Sequence, residues 1–349
     1  SPPSSAMNST NSKTTPNPPP SPPPSPPAPP PAAPPAAPRA SPFPHPRGHP
    51  DGQVHGADDP RAVDVVVPTH TTRHLDLVLA GLARQTAQPR AIVVSCDTDD
   101  GAIGDALARS EPRLSAPVWW VRRPHHGEER LCQVRNNAVR CLARTLGHTR
   151  GRVLILDGDM IANPTCVADH ARLGERAELV LPYRIDLSEA RTSELDAERL
   201  AAGDQTLEPS PAELATLRRR DRRARRHLIL RALRLGPRHK PKLLGGHVSI
   251  DLPTYLELNG FDERYRGWGF KDDEFAHRAA RAGKRARPAA ADIPAWHCHH
   301  TTRQPDRPMR ELPTARLFSQ RRAAPVRCEL GVDHPLDQHP VREDRVGGG

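Results

Sequence analysis

Arg152-Val153-Leu154-Ile155-Leu156-Asp157-Gly158-Asp159 sets four aliphatic residues in a row and then stops on two carboxylates either side of a glycine. A short apolar run closed by turn residues suits a strand buried on both faces of a parallel sheet. Working outward, Ala62-Val63-Asp64-Val65-Val66-Val67 has the same character and ends in Pro68-Thr69. Ala91-Ile92-Val93-Val94 and Val118-Trp119-Trp120-Val121 supply two more strands, while Leu75 to Gln85 and Glu128 to Leu146 space their apolar residues as helices. Strand and helix alternate through short connections, which predicts an α/β fold with a mostly parallel sheet flanked by helices. Ligands of such sheets collect beyond the carboxyl ends of the strands. The loops Thr69 to Arg73, Ser95 to Gly101 and Asp157 to Asp159 should therefore surround one crevice. No glycine-rich dinucleotide fingerprint follows the first strand and no GxxxxGK[ST] occurs, which disfavours a dehydrogenase or a P-loop enzyme.

Composition narrows the classes further. Pro19 to Pro38 consists of Pro, Ala and Ser, without the apolar side chains that would offset the entropy of ordering. Residues 1–60 read as a disordered, extended Pro-rich tail. The net charge of +10 suggests nucleic acid, yet Glu213 to Lys242 alone holds 12 Lys/Arg against 2 Asp/Glu, the whole excess. Aromatics are 3% of residues and zinc-finger or RNP-type motifs are absent, so no nucleic-acid partner is expected. Six cysteines without CxxC pairs suit reduced thiols, and no apolar stretch is long enough to span a bilayer. A cytoplasmic location is the expectation, with peripheral contact at an anionic inner membrane face.

Asp157-Gly158-Asp159 can gather two carboxylates on one hard divalent cation, which would neutralise a departing diphosphate. Alone, the motif is better explained as an ordinary acidic turn, and its place at the end of a strand is what shifts the balance. Leu243-Leu244-Gly245-Gly246-His247-Val248-Ser249-Ile250 follows later, then Asn259-Gly260-Phe261-Asp262-Glu263 and Arg266-Gly267-Trp268-Gly269-Phe270-Lys271-Asp272-Asp273-Glu274-Phe275. Paired glycines let backbone approach a ligand closely. Asp272 and Asp273 open an amphipathic helix, where the helix dipole favours carboxylates and where one could serve as general base.

The ordered string GG-x-V-S-I, NGFDERY, GWG-x-x-DDE resembles the acceptor-side motif of family 2 and galactosyltransferase-type GT-A glycosyltransferases. Val65 to Thr69, Arg135-Asn136-Asn137-Ala138, Val153 to Asp159 and Ala295-Trp296-His297-Cys298-His299-His300 resemble the family's opening strand, Arg-Asn helix, metal strand and closing His segment. The resemblance implies a GT-A fold and an inverting transfer from a nucleotide-sugar donor, a UDP-sugar, to a glycan or glycolipid hydroxyl, as in bacterial polysaccharide synthesis. On the donor side it implies Pro68, Thr69, Arg73, Asp97, Asp99, Arg135, Asn136 and Asp157. It implies Mn²⁺ or Mg²⁺ on Asp157, Asp159, His297 and His300, and acceptor contacts at Gly245, Gly246, Trp268 and Gly269. Asp272 matches the family's base, with Asp273 beside it. Lys271 departs from the family's acid at that position and would lower the basicity of its neighbour. The acids of Ser95 to Gly101 are shifted relative to the family's loop, which leaves Asp97 and Asp99 as alternatives.

The expected organisation is a glycosyltransferase domain at 61–300, made of a donor half (61–185), a basic helical insertion (186–242) and an acceptor half (243–300), then a tail at 301–349 for which disorder is expected. Arg218 to Arg226, followed by Leu228, Ile229, Leu230, Leu233 and Leu235, forms a cationic helix with an apolar side. It is either a solvated face or a dock for anionic lipid or glycan. A binding or scaffold protein on a catalytically degenerate version of this fold, working through the basic helix and the Pro-rich tail, is the competing class.

Overall fold

The computed structural model of the chain describes residues 56–237, 239–301 and 308–347. Most of the expected Pro-rich tail lies outside the described residues. The described strands are β1 (Val63–Thr69), β2 (Ala91–Cys96), β3 (Val118–Arg122), β4 (Arg152–Leu156), β5 (Met160–Ala162), β6 (Leu179–Leu181), β7 (Tyr183–Asp186), β8 (His247–Asp251), β9 (Ala286–Pro288), β10 (Pro294–His297) and β11 (Arg342–Arg345). The α-helices are α1 (Leu75–Ala83), α2 (Gly101–Ser110), α3 (Leu131–Arg140), α4 (Cys166–Gly174), α5 (Glu189–Ser193), α6 (Ala197–Ala202), α7 (Pro211–Ala232), α8 (Leu252–Glu257), α9 (Lys271–Arg281) and α10 (Pro313–Ser319).

The large sheet has the order β11-β3-β2-β1-β4-β8-β6-β9, and β5-β10-β7 form a small second sheet. β3, β2, β1 and β4 are parallel to one another, as the strand–helix alternation predicts. β8 then runs antiparallel to β4 and to β6, and β11 antiparallel to β3. Side chains alternate between two apolar layers: Val66, Val93, Val153 and Ile155 face one, while Val65, Val67, Ile92 and Leu154 face the other. Each such valine or isoleucine removed from water contributes about 1.5–3 kcal/mol before entropy is subtracted. Both layers are needed because a parallel sheet has no solvated face.

The segment after Thr301 is a correction to the expected tail. Over its described residues it forms α10 and the edge strand β11, and Arg140 is bound by the carbonyls of Gly331 and Val332. Its elements are short and polar, so they carry little periodic signal and are held by the body they pack on.

Asn136 is the main polar tie inside this body. It is fully buried, donates to the Phe261 carbonyl at 2.8 Å and to Glu263 at 2.9 Å, and accepts from the Tyr255 hydroxyl at 2.9 Å and the Phe261 N–H at 3.0 Å. All four hydrogen-bonding positions of the amide are used within the protein, so it braces the Asn259–Glu263 turn and cannot contact a donor sugar. Asn136→Ala would strand several buried groups and lower stability by about 3 kcal/mol, read as a drop in the urea midpoint.

Candidate active site

β4 ends at Leu156, and the turn Asp157-Gly158-Asp159 leads straight into β5. β10 pairs antiparallel with β5, setting His297 opposite Met160, and Cys298 N–H donates to the Asp159 carbonyl at 2.9 Å. This pairing unites chain positions 159 and 297. Asp159 Oδ2 lies 3.3 Å from His297 Nε2 and 3.0 Å from His300 Nε2. The other ring nitrogen of His297 faces Asp186 Oδ1 at 3.3 Å, the outer carboxylate that commonly orients a metal-binding imidazole. Burial pushes the Asp159 carboxyl up, but His297 and His300 outweigh it and hold its pKa below the usual carboxylate range.

Asp159 Oδ1 is buried without a hydrogen-bond partner, and one ligand atom from each of Asp159, His297 and His300 lies within 4.8 Å of the others. An orphaned carboxylate oxygen beside two converging imidazoles fits a divalent cation.

Asp157 turns away from that cluster. Its Oδ1 receives Arg135 Nη2 at 3.3 Å, and Arg135 Nη1 donates to Asp272 Oδ1 at 3.0 Å. One buried guanidinium thus joins the strand-end acid to the acid that opens α9. Burial disfavours the Arg135 charge, yet Asp157 and Asp272 overcome it and raise its pKa above the ordinary value. Asp157 is raised by burial and by Asp159 and Asp272, against the pull of Arg135. Asp157, expected among the metal ligands, is therefore spatially a partner of Arg135.

Gly245 and Gly246, expected at the acceptor, explain themselves by close approach to these same acids. Gly245 N–H donates to Asp272 Oδ2 at 3.1 Å, and the Gly246 carbonyl accepts from Asp157 N–H at 3.0 Å. A Cβ at Gly245 would lie 2.2 Å from Asp272 Oδ1, and one at Gly246 would lie 2.3 Å from Asp157 Oδ2. No other residue leaves room for both carboxylates.

Pro68 and Thr69 also adjoin the strand-end turn. The Pro68 carbonyl accepts from Gly158 N–H at 3.0 Å, and a Cβ at Gly158 would meet Thr69 Cβ at 2.7 Å. Arg73 is exposed in the loop that leads into α1. Asp97 is buried under Arg123 at 3.1 Å and His125 at 3.4 Å, whereas Asp99 is exposed. Arg123 and His125 were not singled out in the sequence. Their signal was Arg122-Arg123-Pro124-His125-His126 at the carboxyl end of β3, where ligands gather.

Ahead of α9, Trp268 is 47% exposed on a turn held by positive φ at Gly267, Gly269 and Phe270. The C-terminal segment supports this turn: Thr314 Oγ1 donates to the Trp268 carbonyl at 2.9 Å, and Phe318 stacks on Phe270. Lys271 pairs with Glu129, so its ammonium has a carboxylate of its own. Asp273 lies 3.9 Å from Lys240 Nζ.

Residues 226–301 match the profile of a family described as the N-terminal domain of galactosyltransferase. The xylosylprotein 4-beta-galactosyltransferase of Caenorhabditis elegans is 46% identical over 37 residues, which cover 11% of this chain and 13% of that relative. The match thus spans a small part of the curated relative. The crystal structure of S. aureus TarS aligns at 12% identity and a TM-score of 0.41, over 68% of this chain and 37% of that one. Over residues 226–301 the chain is similar to that galactosyltransferase family, and the described residues form a mixed, largely parallel sheet flanked by helices.

Proposed function

We propose that the chain moves a sugar from a nucleoside-diphosphate sugar, a UDP-sugar, to a hydroxyl of a glycan or glycolipid with inversion at the anomeric carbon. The observation that carries this reading is the pairing of two acidic centres through one body. Asp159 with His297 and His300 offers a cation site, and Asp272 lies across Arg135 from the strand-end turn.

Asp159, His297 and His300 would hold Mn²⁺ or Mg²⁺, which supplies charge neutralisation to the departing diphosphate. Pro68 and Thr69 at the turn, with Arg73 and Asp97 or Asp99 at the neighbouring loops, would receive the nucleotide. Trp268 offers an apolar face to a sugar ring, and Gly269 keeps that turn tight. Asp272 holds one partner on each oxygen, Arg135 and Gly245 N–H, so each oxygen keeps a lone pair for an acceptor hydroxyl. Arg135 and Gly245 fix its direction, and Asp272 takes the proton as the hydroxyl attacks. Asp273 would contact acceptor or donor hydroxyls.

The testing experiment is UDP release from UDP-sugars without acceptor, with and without Mn²⁺. Cation-dependent release supports the transferase reading. Full folding with no release and no thermal shift by any UDP-sugar would favour the degenerate scaffold.

The basic helix suits an anionic surface. α7 starts with a capping box between Ser210 and Glu213, and its single interior acid, Asp221, is buried against the N–H groups of Ala290 and Ala291 at 2.8 and 2.9 Å. Arg218, Arg219, Arg222, Arg223, Arg225 and Arg226 are exposed, as are Ile229, Leu233 and Leu235 beyond them. No helix among the described residues is long and apolar enough to cross a membrane. Sedimentation with anionic vesicles should carry the protein down, and neutral vesicles should not, since each arginine near such a surface contributes about 1 kcal/mol. Equal, negligible binding to both rejects the lipid version.

A further inference from the structure

A second group of ligand-type side chains lies under the sheet, away from Asp159. Cys166 and His170 sit one turn apart on α4, and His247 opens β8 with its ring on the face that meets α4. All three are 0% exposed. We propose that Cys166, His170 and His247 form a buried site for one soft metal ion, zinc(II) or copper(I).

The spacing is that of ligands around one point. His170 Nε2 lies 3.2 Å from His247 Nε2, Cys166 Sγ lies 3.8 Å from His247 Nε2, and all three atoms fall within 4.8 Å of one another. Zinc bound at its usual lengths and tetrahedral angles would set nitrogen from nitrogen at about 3.3 Å and sulfur from nitrogen at about 3.6 Å. His170 Nδ1 is 2.8 Å from Ser249 Oγ, an oxygen that can fix the ring so that Nε2 points inward. Burial holds both imidazoles neutral, the form that ligates.

Hydrogen bonding alone serves this cluster poorly. His247 Nε2 has one lone pair, and both the Cys166 thiol and the His170 ring face it. A pair of groups needs only two atoms to meet, whereas a cation explains why three converge. The donor set also selects the ion. One thiol and two imidazoles without a carboxylate favour zinc or copper(I) over the harder cations suited to Asp159. Binding replaces the thiol proton by the metal: the S–H bond breaks, a metal–sulfur bond forms and the proton leaves to solvent. A sealed site is filled as the chain folds.

The site has a structural consequence. His247 directly follows Gly245-Gly246, whose backbone holds Asp272 and Asp157. A metal joining α4 to β8 would fix the strand that presents both glycines. The proposal stands apart from the transferase reading, because neither its residues nor its ion enters that chemistry.

The test uses the full chain refolded with Zn²⁺, anaerobic Cu(I) or Co²⁺, in a His297→Ala/His300→Ala background that removes the Asp159 site. About one equivalent of metal should remain after gel filtration, as for a structural zinc site. The cobalt form should show thiolate-to-metal charge-transfer absorption. Cys166→Ser should lose that band, and His170→Ala should lose the bound ion. Competition with a chelator decides between zinc and copper(I), either of which supports the site. Loss of all metal in the double variant overturns the proposal. So does a wild-type cobalt spectrum without the thiolate band, a result that does not depend on any variant folding.

Discussion

Asp159→Ala is expected to remove cation-dependent turnover, lowering kcat by about a thousandfold, or ~4 kcal/mol of transition-state stabilisation. Asp159 Oδ2 is the atom toward which both His297 and His300 point, and Oδ1 is the orphaned oxygen of the cluster. Without it two imidazoles remain, too few for a hard cation that prefers oxygen. The protein should stay folded, because the backbone contact from Cys298 N–H to the Asp159 carbonyl is independent of the side chain. The measurement is UDP release against Mn²⁺ concentration, with the thermal midpoint as the folding control. A variant with wild-type kcat and an unchanged Mn²⁺ dependence would show that the cation lies elsewhere or is not used.

Asp272→Asn carries the second large effect. The amide keeps a carbonyl oxygen to accept from Arg135 or from Gly245 N–H, but it cannot accept the acceptor's proton. General base catalysis of this kind is worth about 10²–10⁴-fold, so transfer should fall by that factor. Donor binding should change little, because Asp272 lies on α9 and the donor-side residues Pro68 and Thr69 lie at the strand-end turn. Transfer kinetics and UDP binding measured together separate the two roles. Equal loss of UDP affinity and of transfer would mean that Asp272 holds Arg135 and the donor pocket instead of taking the proton. Asp272→Ala is the weaker variant, since among the described residues it leaves Arg135 with Asp157 as its one carboxylate partner within ion-pair distance.

Much of the N-terminal half of the large sheet could be read from local pattern. β1, β2 and β4 are mainly apolar and buried on both faces, so composition and burial agree, while β3 is buried at Val118 and Val121 and half-buried at its two tryptophans. The strand-end turn and the first turn of α9 were legible for the same reason: polar residues that interrupt strong apolar signals stand out. β5, β6, β9 and β10 were not, being three or four residues long and stabilised by pairing instead of their own composition. The tail after Thr301 was misread because Arg- and Pro-rich composition resembles disorder, while its contacts to Arg140, Trp268 and Phe270 are all long-range. In the arginine-rich helix the single Asp221 was a visible irregularity, and it proved to be the docking point.

The sequence by itself determined the parallel half of the sheet, the position of Asp157-Gly158-Asp159 at a strand end and Asp272 at a helix start. Those follow from residue types over a few neighbours. Only the tertiary structure decided which groups meet. It separated the two acids of the strand-end motif, sending Asp157 to Arg135 and Asp159 to His297 and His300. It enclosed Asn136, and it gave Lys271 a partner in Glu129. Partner choice depends on distances set by β10 on β5 and by the glycine pair against α9, contacts between residues as far as 141 positions apart. No local pattern encodes such distances.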